Sequence, residues 1–460
     1  MRLETDKALI WLCMLAAVAY LPALGFYYVG EEAIFPITSL EMHHSGSWLV
    51  QTLYGTNVRH NPLFNWLIIL LSDGFGWRHV LAVTRAIAML STIGCGVVLF
   101  SLARHLSGSR AFSLFSTLIY LSFADVALYH GWLAYVDPLF SLFVFASIAL
   151  LWVSARQSST RLLFFALILI ELAFLTKAMT AYVFYGVSAL VLLRRHRAFL
   201  LGAPSLILHV LAFAFPLIWF AFLPSHGQGG RMFEEILSKL ALPGFSAYLG
   251  QLFGFPLEAL LRMAPATLLV LYFVLRKKAV MRLSDASSTA FWIGFFNLLP
   301  YWLSPHSSIR YILPIYPFFS LCFAGLLWKE GCLKASLNWM GGVVGLKLAF
   351  FLFLFPWYQS HYRGENYLNA AREIAKETEG FPLYATDVSS SGLSVTGYLD
   401  ALRLPGPPLV FPPAKWENGF ALAYVENPEI GKTYRVFKLG GDELYLLCRG
   451  KACAHARRGQ

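Results

Sequence analysis

The sequence predicts a polytopic α-helical membrane protein of about eleven transmembrane helices, at most about thirteen, with interfacial helices in its first outer loop and a small soluble α/β domain at its C-terminus. Three observations predict it. Of its 460 residues 58% are hydrophobic and only 13% charged, and a mean hydropathy of +0.60 is too high for a chain that folds in water. Apolar runs of spanning length recur as far as Trp357. From Tyr358 the pattern becomes that of a soluble domain, which sets the division at 1–357 and 358–460.

The first run, Ala8 to Val29, has no charge. It can cross ~30 Å of hydrocarbon at ~1.5 Å per residue and is too long for a cleaved signal. Further runs lie near 80–103, 111–124, 132–154, 162–176, 178–193, 198–223, 252–275, 286–303, 311–328 and 335–357. Some are short or carry a charge, as at Glu171, Arg262 and Lys347. Cys13, Cys95, Cys322 and Cys332 lie in or beside these runs, where a thiol behaves as a small hydrophobe. Cys448 and Cys453 lie in the polar region and can pair if it faces an oxidising compartment.

Charge orients the spans. With a cytoplasmic N-terminus, alternate loops carry Arg104 and Arg110, Arg156 and Arg161, "RRHR" at 194–197, "RKK" at 276–278 with Arg282, and Lys329 and Lys334. This is the positive-inside bias. The other loops then face outwards: 27–79, 125–131, the turn at Lys177, 224–251, 304–310 and the C-terminal domain. The net charge of +11 therefore reports orientation and contact with anionic membrane lipids. Nucleic acid is not a predicted partner, since no soluble basic face with aromatic platforms is present.

On this topology Glu31, Glu32, Arg59, His60, Asp137, Lys177, Arg231, His306 and Arg310 all fall at outer span ends or in outer loops. Ionisable groups near membrane depth are costly and are usually paired or functional, so their gathering at one level predicts a polar cavity at the outer surface. Plainer readings stay open. Arg59 and Arg231 can anchor loops to headgroups, and Asp137 before Pro138 can simply start a span.

The first outer loop is the most informative stretch. After Gly30, Ile34, Ile37 and Leu40 recur every third residue, Pro36 is tolerable in an opening turn and Gly46 is available as a stop, which predicts a helix lying in the interface. Glu31 and Glu32 then sit at its N-terminal end, where the helix dipole favours their charged forms. A second helix is predicted from "HNPLFNWLIILL", with Asn61 as N-cap and Pro62 at the first helical position.

The order of apolar span, acidic pair, interfacial helix, "SGSWLVQTLYG", an X-Pro before an aromatic helix, then "AYVDPLF", "FLTKAMTAYVF", "EEILSKL" and "IRYILPIYP" resembles the membrane glycosyltransferases of the GT-C fold. Within these it is most similar to the bacterial branch related to protein O-mannosyltransferases and the lipid A aminoarabinose transferase. The resemblance implies an enzyme of the bacterial inner membrane that passes a sugar from a polyprenyl-phosphate carrier to a periplasmic acceptor. Such a reaction needs a carboxylate to deprotonate the acceptor, cations to stabilise the departing phosphate, and lipid access.

The family's catalytic carboxylate is usually the Asp of an Asp-Glu pair, and the matching position is Glu31, followed by Glu32; Glu is one methylene longer. The aminoarabinose branch has Glu-Lys-Pro where this chain reads His60-Asn61-Pro62, so a phosphate-binding lysine is missing and Arg59 stands beside the gap. That branch also carries a His after Glu-Glu in the long outer loop that holds Arg231, whereas Ile236 follows Glu234 and Glu235 here. No zinc is therefore predicted; no cofactor is named, and a divalent metal stays open. Asp137 matches an acidic residue near the start of the fourth span, Lys177 a "TK" between spans, and Arg310-Tyr311 an "RY" ahead of "LP". Arg310 offers a forked donor set suited to phosphate. Tyr311 adds a hydroxyl or serves as an interfacial aromatic.

In the C-terminal segment "ENYLNAAREIAKETEG" has helical spacing ending at Gly380, "FPLYATD" and "LVFPP" look like strands, a linking helix fits Gly392 to Leu399, and "KTYRVFKLGGDELYLLCRG" looks like a hairpin turning at "GGD". It covers the cavity, meets the acceptor, or is a structural cap. The acceptor is read as lipid A, lipopolysaccharide or another envelope glycolipid, with a protein hydroxyl as the alternative. A transporter or flippase, the alternative of another class, would place polar residues in mid-span and often show two related halves.

The charge alternation generates a labelling prediction. A cysteine placed within Arg194–Arg197 is expected to react with an impermeant thiol reagent only from the cytoplasm, and one near Gln228 only from outside. The opposite pattern would move every candidate residue to the wrong face.

Overall fold

The computed structural model describes every residue except Met1, Arg59, 224–243, 278–282, 364–365 and 456–460. In chain order its principal helices are α1 (Arg2–Val18), α2 (Ile34–Ser45), α3 (Leu63–Phe75), α4 (Val80–Ser107), α5 (Arg110–Leu121), α6 (Ala124–Leu128), α7 (Asp137–Gln157), α8 (Thr160–Thr176) and α9 (Thr180–Leu200). They continue as α10 (Ala203–Phe222), α11 (Phe245–Arg262), α12 (Ala266–Lys277), α13 (Asp285–Leu303), α14 (Tyr316–Leu327), α15 (Glu330–Ala349), α16 (Tyr367–Glu377) and α17 (Ser390–Leu402). Two compact units result. One holds Met1–Leu21, Ala88–Trp132 and Val136–Phe350, the other Pro22–Ile87, Leu133–Tyr135 and Phe351–Gln460.

The first unit is a helical bundle. Asp6–Gly25, Trp77–Ser107, Asp137–Gln157, Ala203–Phe222, Ile309–Leu327 and Gly331–His361 are long and apolar enough to cross a membrane. The run expected at 252–275 is not one rod. Ser246–Arg262 and Ala266–Arg276 are bent by 97°, and among the described residues they make a seventh span if taken together. Pro265 lies at the break, where a missing N–H and a ring clash stop a helix from continuing. The run expected at 111–124 is α5, a 12-residue helix that rises only ~18 Å.

α7 is the central rod: 78% of its apolar window is buried, against 11% for α10. It packs on α8, α9 and the 3₁₀ segment Ile309–Ile315, while α1 packs on α5 and α15. Local chemistry punctuates these helices. Ser109, Ser159 and Ser284 accept the backbone N–H of Phe112, Leu162 and Ser287 at the starts of α5, α8 and α13, and Pro138 sits in the first turn of α7, where its missing donor costs nothing. Lys347, a charge inside an apolar run, is buried with its Nζ donating to the Ala16 carbonyl at 2.6 Å and lying 3.0 Å from the centroid of the Tyr20 ring.

The second unit joins the first outer loop to the C-terminal segment around one core, in which Tyr28, Ala33, Ile37 and Tyr54 meet Leu393, Leu399, Phe420 and Leu446. α17 packs on both α16 and α2, and a Cβ on Gly397 would come within 3.1 Å of the Tyr28 hydroxyl. A short hairpin, β1 (Thr52–Leu53) and β2 (Thr56–Asn57), leaves the loop. The main sheet has the order β3 (Leu383–Ala385), β4 (Gly419–Ala423), β6 (Asp442–Arg449), β5 (Lys432–Leu439). β3 runs parallel to β4, and the other pairs are antiparallel.

The hairpin turns at Gly440-Gly441 with Leu439 opposite Asp442, α16 and α17 stand where helices were expected, and Cys448 is joined to Cys453. "LVFPP" differs from expectation. It forms no strand, although Val410 accepts from Ala385 N and Phe411 N donates to the Tyr54 carbonyl, since Pro412 and Pro413 have no N–H to continue a ladder. The sheet takes Gly419–Ala423 instead. That strand is buried at every position, so it lacks the alternation that marks a half-exposed strand.

Two buried carboxylates tie α2 and α17 to their surroundings. Glu41 accepts Tyr54 N at 2.6 Å and Gly55 N at 3.1 Å, and Asp400 accepts Leu409 N at 2.8 Å. Burial raises the pKa of both, that of Asp400 to about 8. In the unfolded chain Asp400 returns to ~3.9. Between these values the folded state binds the extra proton, so stability is greatest on the acid side and declines as pH rises towards 8. In detergent solution the melting temperature is therefore expected to fall from pH 5 to pH 8, and Asp400→Asn to show a shallower fall. Equal slopes in the two proteins would remove Asp400 from this account.

Candidate functional site

In the second unit the chain leaves a 3₁₀ turn at Leu21–Gly25 and folds into a tight acidic turn before α2. Gly30 takes a left-handed conformation with φ +58°, and a Cβ there would lie 3.0 Å from the Tyr135 hydroxyl, so the position favours glycine twice over. Glu32 N then donates to the Val29 carbonyl, and Ile34 N to that of Glu31.

The two glutamates have opposite environments. Glu32 is fully buried against Arg85, which is also fully buried. Arg85 Nε donates to Oε1 at 2.9 Å and Nη2 to Oε2 at 2.5 Å, while Ala134 N reaches Oε1 at 2.6 Å and Val29 N reaches Oε2 at 2.8 Å. The guanidinium also donates to the carbonyls of Ala23, Phe26 and Tyr27, each at 2.7 Å. Each carboxylate oxygen of Glu32 is thus engaged twice by donors that cannot leave without stranding a buried charge. Its neighbour Glu31 is exposed.

The first unit holds a second cluster. Asp137 opens α7, and its carboxylate is paired with Lys177, the residue that ends α8. Lys177 Nζ lies 4.5 Å from the centroid of the Tyr311 ring, and the Arg310 guanidinium carbon lies 5.6 Å from it. Arg310 is close enough to act on the Asp137 charge, as is His130. A lysine and an arginine thus share one aromatic ring, an arrangement that offsets part of their repulsion and concentrates positive charge suited to a phosphate. Asp137, Lys177, Arg310 and Tyr311, singled out from sequence, are brought together here.

Other members were missed. Asp125, buried in α6, accepts from Arg262 Nη1 at 2.8 Å, pairs with His130 Nδ1 at 2.7 Å, and accepts from the Tyr316 hydroxyl at 3.0 Å. Arg85 was missed as well. For Arg85 and Arg262 a signal existed: each is a charge inside an apolar run, and such charges need buried partners.

His60 and Asn61 lie in the second unit ahead of α3. The His60 ring is 5.9 Å from that of Phe35, and Asn61 is buried. The expected cap moves by one residue: Pro62, with no side-chain bond, caps a helix that begins at Leu63. Arg59 and Arg231, with Glu234, Glu235 and Ile236, lie outside the described residues. Among the described residues no three His, Cys, Asp or Glu side chains converge as metal ligands would.

Comparison with known proteins bears on this arrangement. The family model of the Alg9-like mannosyltransferases matches residues 246–382, a stretch that includes Arg262, Arg310, Tyr311 and Tyr316. A protein of Pseudomonas fluorescens described as undecaprenyl phosphate-alpha-4-amino-4-deoxy-L-arabinose arabinosyl transferase 1 is 31% identical over 160 residues, which cover 34% of this chain and 29% of that protein. The match thus spans less than a third of the relative's length. The crystal structure of ArnT from Cupriavidus metallidurans bound to undecaprenyl phosphate aligns with a TM-score of 0.71 at 15% identity, covering 96% of this chain and 98% of that one. The apo state of the same protein aligns at 0.69 with 14% identity and the same coverage. The chain therefore shares the fold of that ArnT structure over nearly its whole length.

The buried pair generates a stability prediction. Arg85→Ala leaves the Glu32 carboxylate in the interior with two amides as its remaining partners among the described residues, and is expected to cost about 3–5 kcal/mol. Thermal unfolding of purified protein would show this as a large fall in melting temperature, partly recovered when Glu32→Gln is added. A melting temperature unchanged by Arg85→Ala would mean that the pair does not hold the turn.

Proposed function

We propose that the chain is a glycosyltransferase of the bacterial inner membrane that moves a sugar from a polyprenyl-phosphate carrier to an envelope glycolipid of the lipid A or lipopolysaccharide type on the periplasmic side. The N-terminus is read as cytoplasmic and the C-terminal domain as periplasmic. The mannosyltransferase family match, the named Pseudomonas relative and the fold shared with a protein crystallised with undecaprenyl phosphate support the class of reaction. The observation that carries the reading furthest is the contrast between adjacent carboxylates, with Glu32 saturated by Arg85 and two amides and Glu31 exposed at the end of the same turn.

Glu31 is assigned as the base that takes the proton from the acceptor hydroxyl. The acceptor oxygen bonds to the anomeric carbon as the bond from that carbon to the carrier phosphate breaks, and the electron pair leaves with the polyprenyl phosphate. Glu32 positions the turn. Lys177 and Arg310 are assigned to the carrier phosphate, with Asp137 holding Lys177 in place and Tyr311 supporting both cations. His60, Asn61, Arg59 and Arg231 are proposed as further substrate contacts. The aminoarabinose sugar of the relative is not carried over, because His60-Asn61-Pro62 stands where that branch has Glu-Lys-Pro. Mannosyl transfer to a protein hydroxyl is the second reading, of which the mannosyltransferase family model supports the sugar alone. A transporter fits less well, since Asp137 and Lys177 stand at helix ends rather than in mid-span.

Purified protein is expected to consume a polyprenyl-phosphate sugar with no ion gradient, and envelope lipids from cells with and without it should differ by one sugar in mass. Glu31→Gln should lower turnover by about 10²-fold or more while leaving the fold and donor binding intact. Glu32→Gln should reduce the yield of folded protein yet keep measurable turnover in what folds. Near-normal turnover in Glu31→Gln would exclude Glu31 as the base.

Arg310 is tested separately. Arg310→Ala is expected to weaken donor use strongly and Arg310→Lys to recover only part, a difference of about 1–3 kcal/mol, because an ammonium cannot engage two phosphate oxygens as a guanidinium does. Equal behaviour of the two variants would place the phosphate elsewhere.

A further inference from the structure

A cavity of about 920 Å³ in the first unit takes no part in the chemistry above. It lies where the last turns of α7, the last turns of α9 and the first turns of α13 meet. Arg156, on its wall, follows Asp137 along α7 by roughly 28 Å at ~1.5 Å per residue, so the cavity is at the opposite end of that helix from the Asp137 cluster.

Its lining combines two chemistries. Arg156, Arg194, Arg195 and His196 form one part, and Leu190, Trp292 and Phe296 another. Arg194, Arg195 and His196 line the cavity at the point where α9 is broken, His196 having φ −128° and ψ 31°. Arg156 and Arg195 both lie close enough to act on His196 as positive charges. Arg195 reaches Asp285 at 3.4 Å, a long contact between exposed side chains and a weak one. Among the described residues neither Arg156 nor Arg194 has a carboxylate partner. Leu190, Trp292 and Phe296 are meanwhile 69%, 42% and 41% exposed.

We propose that this cavity binds an anionic phospholipid, with the headgroup phosphate among Arg156, Arg194 and Arg195 and an acyl chain along Leu190, Trp292 and Phe296. A soluble anion would satisfy the arginines but not the apolar wall, and a zwitterionic lipid would bring its own cation into a cluster already rich in them. The first turn of α13 also lines the cavity and carries Asp285, whose exposed carboxylate makes, among the described residues, only the 3.4 Å contact to Arg195. On the proposed orientation this end is cytoplasmic, the leaflet where anionic headgroups draw basic residues. The binding itself depends neither on that orientation nor on sugar transfer.

Full-length protein, delipidated in neutral detergent, is titrated with phosphatidylglycerol, with phosphatidylcholine of the same chains and with glycerol 3-phosphate, and bound lipid is read by native mass spectrometry. Phosphatidylglycerol is expected to bind best. Replacing both Arg156 and Arg194 by Gln should weaken it by roughly 25-fold, about fivefold for each charge, and Trp292→Ala should weaken it with the arginines intact. Each single arginine variant, expected at about fivefold, serves if the double variant does not fold. Wild-type affinity in the arginine variants, or phosphatidylcholine or glycerol 3-phosphate binding as tightly as phosphatidylglycerol, would overturn the proposal. Sugar transfer is not part of the readout, so failure here leaves the proposed activity standing, and the reverse.

Discussion

A carboxylate and a guanidinium sealed from solvent, Glu32 with Arg85, hold the turn on which the acidic end of the first outer loop depends. Desolvating both charges costs several kcal/mol each before their attraction and hydrogen bonds offset it. The structure provides that compensation nearly in full. Arg85 is engaged by Glu32 and by the carbonyls of Ala23, Phe26 and Tyr27, and Glu32 takes up the amides of Val29 and Ala134 as well. A turn fixed by so many mutually dependent bonds has little freedom to move, which is the property required of a platform for a neighbouring catalytic side chain.

The same rule runs through the apolar bundle. Asp125 gathers Arg262, His130 and Tyr316, Asp137 takes Lys177, and Lys347 reaches a backbone carbonyl beneath an aromatic ring. Each of these charges has a dedicated partner, as a low-dielectric surrounding demands. Against that background two features stand out: Glu31 is exposed beside the sealed Glu32, and arginines crowd together at the far end of α7. These are the positions at which ligands are assigned: an acceptor hydroxyl at one and a lipid phosphate at the other.

The proposed carrier site at Lys177 and Arg310 and the proposed lipid site answer to one chemistry, phosphate on an amphiphile. Where the carrier is assigned, the cations are disciplined by Asp137 and by the Tyr311 ring, which suits a phosphate that must arrive, gain charge as its bond to sugar breaks, and depart. In the cavity between α7, α9 and α13 no carboxylate comes closer to the arginines than the 3.4 Å contact of Asp285 among the described residues, which suits retention rather than turnover. Different balances of fixed charge can thus give one class of headgroup different residence on one protein.

The sequence by itself determined the solvent, the helical character and the positions of the candidate charges. Hydropathy and the spacing of apolar residues are local properties, so most runs became helices where expected, Gly46 closed α2 in the left-handed conformation and the Gly440-Gly441 hairpin turned in register. Asp137, Lys177, Arg310 and Tyr311 were legible because each sits where an apolar run ends. Tertiary structure decided what no local pattern encodes. It chose the fully buried Gly419–Ala423 over "LVFPP" for the sheet, put the first outer loop and the C-terminal segment into one core, and moved the α3 cap from Asn61 to Pro62. It also decided which of two adjacent glutamates is sealed and which is exposed. That choice turns on Arg85, 53 residues further along the chain, and a partnership across such a distance arises only when the chain has folded and the water is gone.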